Sequence, residues 1–316
     1  MTAPGGTTGA LLTTSVHWIR QTKMNEDAES LARRLSLRFA WEVERWDSAH
    51  HGYSHTLVVG PLRVWHHPDR PDMGVCIDAS GEACEQIGVD GVAWLLGLPG
   101  WKQTRVDVAL DGVPFEPALV RDAWRGGDVR TAARLPKVAQ AGREGWRTSR
   151  WLDDHTGDMF TMGARQSGQF VRCYNRRGFT RLELEVKGDA APAAAAMLAA
   201  ALVDRDELAF GQIVVGLLRR FVDFVDASAD ANISRCPLLP WWAEVAEGVD
   251  RCRLWLGEVS VKSAGDMLEW ALAQTAPVLA VLERVFGPAI LRDLAAEGRV
   301  RWKRRHREAV RLAGVA

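Results

Sequence analysis

Tyrosine is the scarcest aromatic in this 316-residue chain: Tyr53 and Tyr174 stand against 14 tryptophans, so neither tyrosine reads as filler. Cysteine is sparse and odd in number. None of Cys76, Cys84, Cys173, Cys236 and Cys252 forms a Cys-x-x-Cys pair, which argues against a disulfide scaffold or a thiolate zinc site and predicts reduced thiols in the cytoplasm. Neither sign of charge is in excess. The 40 Lys+Arg balance 40 Asp+Glu, which disfavours a chain coated in nucleic acid over its whole surface but leaves local basic patches open. Long hydrophobic runs are missing. The longest apolar stretch, Ala190 to Val203, contains Pro192 and is mostly alanine, too short and too weakly apolar to cross a membrane. Met1 to Leu12 shows no basic stretch followed by an apolar one, so no secretory leader is expected. With 47% hydrophobic and 25% charged residues, the composition is that of a soluble globular protein of one large or two moderate domains.

Periodicity predicts an α+β fold. Residues 1–14 are rich in Thr and Gly and read as a disordered leader. A strand is expected over Ser15–Thr22, and a helix over Asn25–Arg38 with Asn25 as its N-cap. Short apolar runs punctuated by Gly, Pro and Asp from Tyr53 to Ile87 predict antiparallel strands, and Glu82–Leu98 a further helix. After Gly188 alanine and leucine dominate. Helices are expected over Ala193–Val203, Glu207–Val225, Ser263–Phe286 and Pro288–Leu312. The boundary falls near 190, with an antiparallel-sheet domain over 15–190 and an α-helical domain over 191–316.

Three segments alternate strictly. Thr104–Asp111 (TRVDVALD) puts Arg105, Asp107 and Asp111 on one face. Val171–Arg177 (VRCYNRR) groups Arg172, Tyr174 and Arg176. Arg181–Lys187 (RLELEVK) groups Arg181, Glu183, Glu185 and Lys187. Such alternation means one buried and one polar face, and Gly178 between the last two predicts a hairpin. As neighbours in one sheet, these strands would gather four carboxylates, several cations and one phenol. Clustered carboxylates repel unless a cation lies between them. A divalent ion with oxygen ligands, Mg²⁺ or Mn²⁺, is one solution, and such an ion polarises a phosphoryl oxygen. Arginines beside it would hold phosphate bidentately, and a tyrosine oxygen could attack phosphorus. The plainer alternative is a solvated sheet face with cross-strand ion pairs.

The same segments resemble the replication initiation factor family, the Rep_trans group of rolling-circle initiators of plasmids and filamentous phages. GDMFTMGARQSGQFVRCYNRRGFTRLELEVKGDAA is similar to the family's signature block through Gly163, Arg165, Ser167, Arg172, Tyr174, Asn175, Arg181, Glu183, Lys187 and Gly188. TRVDVALD is similar to an upstream motif through Arg105, Asp107 and Asp111, and MGVCIDASGEACEQIG to another through Gly74, Ser80, Gly81 and Cys84. The resemblance covers roughly residues 15 to 310, and order and spacing together make it specific. It implies a Rep nuclease-like catalytic domain that nicks and rejoins DNA at an origin. Tyr174 would be the nucleophile, holding the 5′ phosphate as a phosphotyrosine. Asp107 and Glu183, then Asp111 and Glu185, would be the metal ligands. Arg105, Arg172, Arg176 and Arg181 would hold phosphate or neutralise the phenolate. The implied partners are double-stranded origin DNA, single-stranded nick-site DNA, a second copy in a homodimer and a host superfamily 1 helicase. The family has lysine two residues after the tyrosine. Here Arg176 stands there, which keeps the charge but cannot exchange a proton near neutral pH.

The chain has no His-x-His motif. His50, His51, His55, His66 and His67 cluster in sequence, but adjacent strand residues face opposite ways, so His66 and His67 cannot both chelate one ion. A surface or hydrogen-bonded role is the simpler reading for all five. The most basic run holds Arg299, Arg301, Lys303, Arg304, Arg305 and Arg307 around Trp302. It is either a solvated helix end or a DNA-phosphate contact; Lys187 on the sheet is a further candidate for DNA. Arg121 to Arg150, arginine-rich with Trp124 and Trp146, is expected to be a flexible DNA-facing loop. Two other functions stay open: a DNA-binding regulator on this fold that has lost catalysis, and a metal-dependent phosphodiesterase in which Tyr174 is structural.

Overall fold

The computed structural model describes residues 12–131, 144–150, 156–176, 178–252, 268, 271, 272, 275–301 and 310. Among these, strands β1 (Thr13–Lys23), β2 (Val43–Trp46), β3 (His55–Val59), β4 (Leu62–His66), β5 (Val75–Ala79) and β6 (Lys102–Asp111) form half of the fold. After β7 (Val129–Thr131) come β8 (Glu144–Arg150), β9 (Thr156–Met162), β10 (Gln169–Arg176), β11 (Phe179–Lys187) and β12 (Val222–Phe224). Ten of them make one sheet in the order β2-β3-β4-β5-β1-β6-β11-β10-β9-β8, while β12 and β7 pair separately. Every pairing in the large sheet is antiparallel. The hairpin expected at Gly178 is present: β10 and β11 pair along their length, and Gly178 adopts φ +88°, a conformation in which a side chain would be strained.

Helices α1 (Ala28–Phe39), α2 (Gly81–Leu96), α3 (Pro117–Gly126), α4 (Ala190–Val203), α5 (Glu207–Phe221) and α6 (Pro240–Ala246) complete the first compact unit, Met1–Trp255. The second unit, Leu256–Ala316, holds α7 (Ala276–Phe286) and α8 (Ala289–Val300), joined through Gly287 at φ +82°. The first unit thus runs past the boundary expected near 190, because α4 packs on β6 and β11 and α5 on β1. The core is continuous from sheet to helices: Val106, Val108, Leu110, Leu182, Leu184 and Val186 are buried with Ala194, Leu198, Val214 and Leu218. Each large apolar side chain so buried stabilises by roughly 1.5–3 kcal/mol.

Several local expectations need correction. The α1 cap is Asp27, whose carboxylate accepts from the Ser30 amide, while Asn25 sits in a left-handed turn at φ +55°. α5 stops at Phe221 rather than Val225, because Val222–Phe224 find ladder partners in β7. Thr13 and Thr14, placed in the leader, already belong to β1; residues 1–11 lie outside the described residues. The arginine-rich stretch 121–150 is not simply a loop. Its start lies in α3, which Pro117 opens and Gly127 closes at φ +85°, and β7 and β8 follow, with 132–143 outside the described residues. Of the two C-terminal helices expected, α7 and α8 are the described parts. All five cysteines are free.

Candidate active site

Register alone brings the predicted residues together. Asp107 of β6 is the Cα partner of Glu185 on β11, and Asp111 that of Arg181. Across the next boundary Glu183 faces Arg172 and Arg181 faces Tyr174 on β10. Directly paired residues lie with Cβ atoms about 4.5–5.5 Å apart, so these side chains share one surface on the side of the sheet away from the apolar core.

That surface is a closed network rather than the open, solvated face the alternation predicts. Asp107 is fully buried, and Glu183 and Glu185 are each 2% exposed. Arg105 clamps Asp107 with two hydrogen bonds, Nε to Oδ1 at 2.8 Å and Nη2 to Oδ2 at 2.5 Å. Nη2 of Arg172 donates to Glu183 Oε1 at 2.5 Å and to Asp107 Oδ2 at 3.2 Å, and lies 3.8 Å from Glu185 Oε2. Lys187 meets Glu185 Oε1 at 2.6 Å. The Tyr174 hydroxyl donates to Glu183 Oε2 at 2.8 Å. Long cationic side chains lying over short acidic ones exclude water from the carboxylates, and Tyr174 itself is only 7% exposed.

A residue that the sequence reading missed completes the network. His17 lies 3.3 Å by Nδ1 from Glu183 Oε1, and 3.2 Å by Nε2 from Nη1 of Arg176. Arginine can only donate, so the imidazole accepts at Nε2 and donates from Nδ1. Two features let a β1 side chain reach β11. The register slips between Val16 and Trp18, leaving His17 as the extra residue of a bulge, which re-aims a side chain. Between β1 and β11 lies Ala109 of β6, partner of Glu183, whose methyl group leaves the path clear.

Burial and charge set the protonation of the cluster. Burial disfavours the Glu183 carboxylate, but the His17 hydrogen bond, the Arg172 charge and the Tyr174 hydroxyl outweigh it and lower its pKa. Asp107 moves the opposite way: burial, aided by the Glu183 charge, raises it against the pull of Arg105 and Arg172. The Tyr174 phenol is pushed up by burial and then by the Glu183 charge, with Arg181 opposing. One carboxylate is held ionised beside a phenol that holds its proton.

A sequence model of the replication initiation factor family, Rep_trans, matches residues 101–294, well over half of the chain. The chain belongs to the replication initiation factor family. Its fold is similar to the structure of a rolling circle replication initiator protein from Geobacillus stearothermophilus, at 22% identity and a TM-score of 0.59, over 77% of this chain and 98% of that one. No curated protein sequence matches.

The remaining expected site residues of this family member fall in several places. Asp111 stays out of the carboxylate group and pairs bidentately with Arg181, at 2.5 and 2.6 Å. Arg176 reaches Glu85 of α2 at 2.6 Å as well as His17. The five clustered histidines lie elsewhere: His51 accepts from Arg20 at 2.8 Å, His55 stacks on His66 at 5.3 Å, and His50 contacts Trp65. Of the basic run, Arg301 pairs with Glu297 at 2.6 Å in the second unit. Lys303, Arg304, Arg305 and Arg307 lie outside the described residues.

Asp107, Glu183 and Glu185 supply the oxygen donors that Mg²⁺ or Mn²⁺ takes, and Glu185 Oε2 is buried without a hydrogen bond, although Arg105 Nη2 lies 2.9 Å away. Among the described residues no three His, Cys, Asp or Glu groups are spaced to hold an ion. The point on which these three carboxylates converge is taken by Nη2 of Arg172. The donor chemistry fits a divalent cation, and a guanidinium supplies the positive charge in this arrangement.

Proposed function

We propose that the chain initiates rolling-circle replication by nicking one DNA strand at an origin and later rejoining it, with Tyr174 as nucleophile. The observation that carries this reading is the Tyr174 hydroxyl donating at 2.8 Å to Glu183 inside an arginine-rich cluster. The phenolic oxygen attacks the scissile phosphorus, the P–O3′ bond breaks, and a P–O bond to Tyr174 replaces it. The phenol proton, already aimed at Glu183, passes to the leaving 3′ oxygen, which becomes a free hydroxyl able to prime synthesis. Ester is exchanged for ester, so a later attack by a 3′-OH restores the tyrosine and closes the strand. Arg172, Arg176 and Arg181 neutralise the charge that develops on phosphate, and Arg105 and Lys187 hold flanking phosphates; the basic residues Arg301, Lys303, Arg304, Arg305 and Arg307 bind DNA by their charge. Mg²⁺ or Mn²⁺ would polarise a phosphoryl oxygen, with Asp107, Glu183 and Glu185 as its oxygen donors once Arg172 turns from them to the phosphate; Asp111, tied to Arg181, orients that arginine. The implied partners are origin DNA, its single-stranded nick site, a second copy and a host superfamily 1 helicase. No helix among the described residues is long and apolar enough to cross a membrane.

Burial of Tyr174 favours a second reading, a DNA-binding regulator that does not cut. One experiment separates the two: incubation of a supercoiled plasmid carrying the replicon's own origin with Mg²⁺ or Mn²⁺, for the natural protein and Tyr174→Phe. The initiator converts the plasmid to open circles and the variant does not. A regulator shifts its mobility and leaves it closed. A phosphodiesterase with a structural tyrosine cuts in both cases.

A further inference from the structure

Beside the carboxylate network, on the same side of the sheet, lies a cleft of about 700 Å³ that the reaction above does not use. Three indoles border it, Trp18 of β1, Trp46 of β2 and Trp65 of β4. Each carries a guanidinium against its ring: Arg105 over Trp18 at 4.2 Å, Arg63 over Trp46 at 5.0 Å and Arg20 over Trp65 at 4.9 Å. Arg20 is fixed from below by Asp78 at 2.5 Å, which also accepts from Trp18 Nε1 at 2.9 Å. Trp65 is buried, but Trp46 stands 44% exposed on an edge strand. The cleft is near electrical balance, with Arg20 and Arg63 against Asp78 and Glu82. Flat π surfaces with little net charge suit an uncharged planar ring better than a phosphate, and the volume lies within the roughly 300–1,000 Å³ typical of ligand pockets.

The cleft is physically joined to the cluster. Trp18 is the Cα partner of Asp107, and Arg105, stacked on Trp18, is the same arginine that clamps Asp107 and meets Glu185 at 2.9 Å. From the β2 strand of Trp46 to the β10 strand of Tyr174 are seven strand spacings, about 33 Å. A single strand crossing the sheet at right angles to the β-strands would therefore set one phosphate at Tyr174 and a nucleotide several positions along it in the cleft.

We propose that the Trp18–Trp46–Trp65 cleft is a subsite for an unpaired nucleobase of the single strand, stacked on the exposed ring of Trp46, while the arginine cluster takes the phosphates. The identity of this ligand rests on the strand-cleavage reading above; its measurement does not. The probes are a fluorescein-labelled oligothymidylate and an abasic oligomer of equal length, titrated by anisotropy with full-length protein in EDTA, so that nothing is cut. Stacking one base contributes about 5- to 150-fold in affinity. The natural protein is expected to prefer oligothymidylate by at least about fivefold. Trp46→Ala should abolish most of that preference without changing affinity for the abasic oligomer, and Trp46→Phe, which keeps a ring, should restore it. Equal affinity for both probes overturns the proposal, as does a Trp46→Ala variant, folded by its thermal melt, that keeps the preference or weakens both probes alike. An unfolded Trp46→Ala leaves Trp46→Leu, apolar but unable to stack, to decide by the same criterion. Loss of base preference with plasmid nicking intact removes the subsite and spares the reaction; a protein that never nicks yet discriminates through Trp46 keeps the subsite and loses the reaction.

Discussion

Arg172 bears more of the cluster than any other cation, and removing it should show what its position stands for. One nitrogen, Nη2, serves Glu183 at 2.5 Å, Asp107 at 3.2 Å and Glu185 at 3.8 Å, all three carboxylates being at most 2% exposed. In Arg172→Ala the acids keep Arg105 and Lys187 but lose their shared partner. Breaking a buried ion pair from one side costs about 3–5 kcal/mol, which in a unit of this size lowers the melting temperature by about 10 °C. The emptied position is lined by three oxygen donors and becomes open to a divalent ion. An ion bound only by the folded form returns about 2.7 kcal/mol at a hundred times its Kd. Scanning calorimetry of natural and Arg172→Ala protein, each in EDTA and in MnCl₂, reads both effects. The variant should melt well below the natural protein in EDTA and recover most of the gap in Mn²⁺, with a smaller Mn²⁺ shift in the natural protein. A variant as stable as the natural protein, or one that Mn²⁺ leaves unmoved, would refute the assignment of Nη2 as the cation at the carboxylates' meeting point.

Further outcomes follow from the same structure. Asp223, fully buried, accepts from Arg130, Arg219, Arg251 and the Trp242 indole; Asp223→Ala should destabilise by about 3–5 kcal/mol in urea unfolding while sparing the sheet cluster. Burial opposes the Asp223 charge, but Arg219, Arg130, Trp242 and Arg251 together lower its pKa to about 2. Its contribution is therefore present above the ordinary aspartate range and fades as pH falls towards about 2, so an acid titration of unfolding free energy should lose a step in Asp223→Asn. Ala109→Val puts two methyl groups in the path between His17 and Glu183; it should cost about 1–3 kcal/mol and slow plasmid nicking, whereas Ala109→Gly should leave the His17 contact in place.

Much of the site was legible because β-strands have a period of two. Arg105, Asp107, Arg172, Tyr174, Glu183 and Glu185 share a face for that reason, and only the pairing of β6 with β11 and β11 with β10 had to be supplied. What period two could not show was depth. Alternation marks a face as polar, yet Asp107, Glu183 and Glu185 are as buried as the core because two arginines and a lysine lie over them. His17 was hidden for the opposite reason: a bulge breaks the alternation on which the reading depends, and the adjacent histidines at 50, 51, 66 and 67 drew attention to a different part of the chain. The end of α5 was misplaced because Val222 and Phe224 continue an apolar helical pattern and are claimed by a distant strand, β7. The N-cap of α1 went to Asp27 over Asn25 because both suit a cap and only backbone geometry separates them. A boundary near 190 follows a real change in composition, but helices rich in alanine pack closely on a sheet, and α4 does so.

The claim on which the functional account stands is that the Tyr174 oxygen takes a DNA phosphate. Mass spectrometry of the full-length protein after reaction with a 3′-labelled single-stranded nick-site oligonucleotide tests it directly. The account predicts a tryptic peptide containing Tyr174 heavier by the 3′ fragment of the cut strand, absent from Tyr174→Phe. Cleaved DNA without any such adduct, or an adduct carried by another residue, would contradict it.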